Sequence, residues 1–124
     1  MTDDTNAPEA EYLGLLAQGC FMLQRDPQSG AAVFPPRLRA PGHGGKLGAF
    51  APLSGRGVIY AMTVQPKKPP EPPRIVVLVD LDEGGRMLSH MPAATPDSVA
   101  IGDAVTARII TEGETPTVVF DRAQ

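Results

Sequence analysis

Three groups of residues in this 124-residue chain are of types that do chemistry. The sharpest is Ser54-Gly55-Arg56-Gly57. Successive backbone amides around glycines can form a concavity for an anion, and a guanidinium beside them suits phosphate. Without a fuller motif, the plainer reading of a tight turn into the following strand is favoured. The second group is Cys20, His43 and His90, which lie on separate segments with no pair at short spacing. Structural zinc takes four such ligands at close range, so no metal site is expected from them. His43, in a glycine loop, reads as an exposed polar residue, and His90, at a strand end, as structural. Cys20 falls in an apolar stretch where a buried, inert thiol is the usual outcome. The third group is Asp80, Asp82 and Glu83 at a hairpin mouth, with alternation placing Asp80 and Asp82 on one face. Solvated acids explain them as well as a carboxylate pair does. Ser54 is not in a Gly-x-Ser-x-Gly setting. No catalytic residue is assigned, and an autonomous enzyme has no constellation to support it.

The elements that would position these residues are mostly strands. The glycine turn at 54–57 runs into Val58-Ile59-Tyr60-Ala61-Met62-Thr63-Val64. Strict alternation puts Val58, Tyr60, Met62 and Val64 on one face and Ile59, Ala61 and Thr63 on the other. Neither face is fully polar, so the strand is expected to be covered on much of both sides. Five strands are expected at about 57–65, 74–82, 86–90, 104–111 and 116–121, with a hairpin turn at 82–85 and a helical turn near 95–99. Five strands, the longest first and the break after the third, is the layout of an OB-fold barrel. An SH3-like barrel is the main competitor. The connector Gln65–Pro73 carries five prolines and is expected to be extended, as a stiff spacer rather than an SH3 ligand.

Before the barrel, residues 1–8 read as a disordered leader without a signal-peptide pattern. Residues 8–18 read as one short helix that Gly19 stops. Residues 20–24 and 31–34 make a plausible hairpin, and residues 37–49 form a loop without periodicity. The chain thus divides into 1–8, an N-terminal segment at 9–50 and a barrel at 51–124.

Composition narrows the function classes. A net charge of −3 and no Trp argue against a nucleic-acid surface, which needs a basic face and stacking aromatics. The single cysteine excludes an intramolecular disulfide and suits a reducing cytoplasm. The longest apolar run, Ile75 to Val79, is far short of the ~20 residues of a membrane helix.

Four stretches in order become specific together: Phe34-Pro35-Pro36-Arg37; Ser54 to Tyr60; Val79-Asp80-Leu81-Asp82-Glu83-Gly84 with Arg86 and Leu88-Ser89; and Ile101-Gly102-Asp103-Ala104-Val105. Over residues 10–121 they resemble the domain-of-unknown-function-35 family, which joins a helical hairpin and a rubredoxin-like zinc ribbon to an OB-fold. The resemblance implies a mainly β fold: a five-stranded OB-fold barrel preceded by a short N-terminal helix and a degenerate, metal-free ribbon-like hairpin. The family's four cysteine positions fall here on Asp26, Ser29, Ala40 and His43, so the ribbon has lost its metal. Residues 26–49 must then be held by packing against the barrel or a partner, or else be mobile. The resemblance further implies a non-catalytic accessory subunit of a thiolase-like acyl-CoA enzyme, without cofactor of its own, that helps to bind or channel an acyl-CoA. Phe34, Pro35, Pro36, Arg37 and Phe50 would face the partner, and Ser54, Gly55, Arg56 and Gly57 the ligand. The alternative is a stand-alone barrel binding a small molecule or oligonucleotide.

Overall fold

The structure is a computed structural model that describes residues 7–123. Of the expected leader, residues 1–6 lie outside the described residues. Pro8 does not belong to a leader: it is buried in the first turn of α1 (Ala7–Ala17), where a residue without an N–H costs the helix nothing. Tyr12 and Leu16 are the buried face of this helix. Gly19, at φ 83°, ends it, with the Gly19 and Cys20 amides donating to the Leu16 and Leu15 carbonyls.

A small antiparallel sheet follows: β1 (Met22–Arg25), β2 (Ala32–Val33) and β3 (Phe50–Pro52), in the order β2-β1-β3. Phe50–Pro52 straddles the expected start of the barrel at residue 51. It pairs with Met22–Gln24, so the ribbon's sheet extends to Pro52 and the junction with the barrel is Leu53–Gly55. Cys20 precedes β1 and is half-buried, not an interior thiol.

The barrel comprises β4 (Arg56–Gln65), β5 (Arg74–Leu81), β6 (Arg86–His90), β7 (Ala104–Glu112) and β8 (Thr115–Arg122), in the order β6-β5-β4-β7-β8. Alternation is cleanest in β5, where Ile75, Val77, Val79 and Leu81 point inward. They meet Ile59, Met87, Val105, Val118 and Phe120, and Met91 and Val99 join the same core. β6 and β8 share no ladder. The Ser89 hydroxyl donates to the Val118 carbonyl across that seam at 2.6 Å, and α1 packs on β8 beside it. The segment between β6 and β7 has a hydrogen-bonded turn at Thr95–Ser98 and no helix. The connector is not a continuous polyproline stretch, because the Glu71 amide donates to the Lys68 carbonyl and closes a turn.

The long strand β4 departs from the expected faces. Ile59 pairs with Val79 and Ala61 with Leu78, so Tyr60 is an extra residue in a bulge. The parity of the strand changes there. Gly57, Ile59, Met62 and Val64 stand opposite the inward residues Leu81, Val79, Val77 and Ile75, while Val58 and Tyr60 are 41% and 48% exposed. One side of β4 is therefore open to solvent, not covered.

Candidate functional site

The junction between ribbon and barrel is where the residues of most chemical interest converge. Gly55 turns at φ 82° and its carbonyl accepts from the Ala107 amide at 2.7 Å. Gly57 has no side chain because β4 runs tight against β5: a Cβ there would lie 2.6 Å from the Asp80 carbonyl oxygen. The amides expected to face an anion have partners from within the chain. The Ser54 amide donates to Glu83 Oε2 at 2.8 Å, and the Arg56 amide to Ser54 Oγ at 3.1 Å. Glu83 is thus itself the anion at this turn. Burial works against its charge, but the Ser54 hydrogen bonds and the Arg25 charge hold its carboxyl below the ordinary range. Arg56 projects outward, its side chain 70% exposed, with Nε 3.2 Å from Asp82 Oδ2. Asp80 pairs with Arg86 at 2.6 Å, so Asp80 and Asp82 each face an arginine instead of each other.

The same hairpin that carries Glu83 clamps the ribbon. The Ala32 amide donates to the Glu83 carbonyl at 3.3 Å. Gly84 and Gly85, at φ 86° and 85°, lie against Ala31 and Ala32, and a Cβ on Gly85 would overlap the Ala32 carbonyl. Packing against the barrel therefore holds the ribbon.

At the four positions of the lost zinc knuckles, the donor set does not fit the metal. Asp26 and His43 are close, with Asp26 Oδ2 2.9 Å from His43 Nε2. The Ser29 hydroxyl accepts from the Ala31 amide, and Ala40 presents a buried methyl. No group of three or more His, Cys, Asp or Glu among the described residues is placed to hold a metal ion. Two donors of four do not make a structural zinc site.

The apolar ribbon residues divide. Phe34 packs edge-on against Tyr12, with centroids 6.1 Å apart, and Phe50 also packs on the core. Pro35 is exposed, Pro36 and Arg37 are half-buried, and Leu38 next to them is 50% exposed. The Arg37 backbone is fixed by Gln24, whose side-chain amide donates to its carbonyl at 2.9 Å and accepts from its N–H at 3.0 Å. Two features had no clear sequence signal. One is a groove of about 390 Å³ between α1, β6 and β8, lined by Tyr12, Leu13, Leu16, Phe34, Leu88 and Val118. Arg74, His90 and Glu112 stand at its rim. The other is the open side of β4–β6, where Tyr60 and Leu88 are exposed and the Arg86 guanidinium lies 3.5 Å over the Tyr60 ring. The bulge hid the first residue of that patch.

Comparison with known proteins agrees with this geometry. Residues 51–109 match the family described as the ChsH2 C-terminal OB-fold domain. The chain is similar to the 3-oxo-4,17-pregnadiene-20-carboxyl-CoA hydratase alpha subunit of Mycobacterium tuberculosis, 43% identical over 60 residues, 46% of this chain and 19% of that protein. It is 36% identical over 84 residues to a DUF35 domain-containing scaffold protein of Methanothermobacter thermautotrophicus, 63% of this chain and 62% of that one. The matches thus span about a fifth and under two thirds of these relatives' own lengths. Among solved structures, a chain of the Ltp2-ChsH2(DUF35) aldolase superposes with a TM-score of 0.77 at 26% identity, covering 99% of this chain and 98% of that one. Residues 51–109 match the ChsH2 C-terminal OB-fold family, and the chain as a whole resembles DUF35 proteins, with the zinc-ribbon cysteines absent.

Proposed function

We propose that the chain is a non-catalytic accessory subunit of a thiolase-like acyl-CoA enzyme in the cytoplasm, where it helps to bind or channel an acyl-CoA. The observation that carries the reading is the end-to-end likeness to a chain of the Ltp2-ChsH2(DUF35) aldolase, ribbon included. An isolated barrel match would support only a shared fold. The pairing of each acid at the hairpin mouth with an arginine or an amide supports the non-catalytic part, since these groups are committed to structure. In this reading Pro35, Pro36 and Arg37 face the partner together with Leu38, and Phe34 and Phe50 support them from beneath. Arg56 is the cation that reaches a coenzyme A phosphate, exchanging Asp82 for it, while Ser54, Gly55 and Gly57 set its position.

Co-expression with thiolase-fold enzymes of the same organism tests the reading. A stable complex is expected, with acyl-CoA turnover that depends on the presence of this chain. Failure to co-purify, or turnover unchanged by its removal, would overturn it. The groove between α1, β6 and β8 favours a second reading, a stand-alone module for a small apolar molecule. Ligand-induced stabilisation of the isolated chain, without any partner, would favour that one.

A further inference from the structure

The ribbon keeps the form of a two-knuckle metal site while its donors cannot hold the metal. We infer that the Asp26–His43 contact has taken over the metal's task of joining the two knuckles, so that this ribbon is closed by hydrogen bonds and needs no zinc.

Both knuckle turns are intact. In the first, the Gly30 amide donates to the Asp26 carbonyl at 2.6 Å and the Asp26 amide to the Ala31 carbonyl at 2.9 Å. In the second, the Gly44 amide donates to the Ala40 carbonyl at 3.0 Å and the Ala40 amide to the Gly45 carbonyl at 2.9 Å. The link joins residues 17 apart in sequence, and every polar atom of the two side chains is engaged in it or in the turns beside it. Asp26 is 8% exposed, and its Oδ1 accepts from the Gln28 amide at 2.9 Å, so one oxygen caps its own knuckle while the other reaches His43. His43 Nδ1 accepts from the Gly45 amide at 3.1 Å. With Nδ1 an acceptor, Nε2 carries the proton and donates to Asp26. Each side chain thus holds its own turn and the opposite one, the arrangement a tetrahedral metal achieves through pairs of ligands. Ala40 fills a ligand position with a buried methyl, 3% exposed, so that corner is packed apolar.

The test is amide exchange on the full chain, read separately in residues 26–46 and in the barrel strands. In wild-type protein a strong chelator is expected to leave both sets unchanged. His43→Ala should raise exchange at Gly30, Ala40 and Gly44 about tenfold and leave Val77, Val105 and Phe120 as they were. His43→Gln, whose side-chain amide can still donate to Asp26, should recover part of the protection. Asp26→Ala, which loses the Gln28 cap as well, should be the most exposed of the three. Stoichiometric metal in the purified protein, or loss of ribbon protection on chelation, would overturn the inference. So would a His43→Ala protein whose ribbon exchanges like wild type.

Discussion

The barrel and the ribbon are stabilised by different means, although both are antiparallel sheets in one short chain. The barrel has a continuous ladder in the order β6-β5-β4-β7-β8 and an interior of aliphatic side chains around Phe120. The ribbon has strands of two to four residues and too few apolar groups for a core of its own. Its order comes from polar pins: Gln24 on the Arg37 backbone, Asp26 on His43, and the Glu83 hairpin against Ala31 and Ala32. Burial is non-directional and scales with area, whereas hydrogen bonds are directional and modest in net worth. A small subdomain can therefore keep a specific shape without a core, provided that a larger neighbour supplies the burial.

The strongest way to break the comparison is to remove the neighbour. Phe120 is fully buried, and Phe120→Ala is expected to cost the barrel about 3–5 kcal/mol and to release the ribbon with it. Denaturant unfolding followed by both ribbon and barrel signals should show the two lost together. Gly85→Val should separate them instead. Its positive φ alone implies roughly 1–3 kcal/mol of strain, and the added side chain would strike Ala32, so the ribbon should become protease-sensitive while the barrel stays folded.

A third probe is pH. Burial, helped by the Arg74 charge, holds the His90 imidazole below its ordinary value, and Glu112 at 3.6 Å only partly opposes this. Because the unfolded chain binds that proton more readily, the stability that His90 contributes is whole above about pH 6.5 and is lost as pH falls through its folded value. His90→Gln should flatten that part of the stability profile, and an unchanged profile would remove His90 from the account. The smallest effect is expected at Arg56. Its ion pair with Asp82 is exposed, so Arg56→Ala should change stability by less than about 1 kcal/mol. In the partner complex, weaker acyl-CoA binding by that variant would support its proposed contact, and equal affinity would leave the turn purely structural.

The two regions also differ in how much of them can be read from sequence. β-Branched runs such as Ile75-Val76-Val77 and turns such as Glu83-Gly84-Gly85 mark the barrel strands within a residue or two. The bulge at Tyr60 leaves no such mark, because no glycine announces it, and strict alternation therefore gives the wrong outward face for β4. In the ribbon, short strands carry little periodicity, and nothing in Phe50-Ala51-Pro52 marks β3 as one. The resemblance to a zinc ribbon located Asp26 and His43 as former ligand positions, but nothing in a 17-residue separation says that the two side chains touch. Glu83 at the Ser54 amide was hidden for the same reason, since the partners are 29 residues apart.

The seam between β6 and β8 has a consequence for the order in which the molecule can be made. α1 leaves the ribosome before the eight strands, and β8, on which it packs, follows the other seven. The ribbon between them leans on a hairpin, Asp82–Gly85, that is synthesised some fifty residues after Ala32. Contacts of such sequence separation are slow to form, because the intervening chain must be closed before they are rewarded. The nascent helix and ribbon therefore wait, with Tyr12, Leu16 and Phe34 uncovered, until β8 is released.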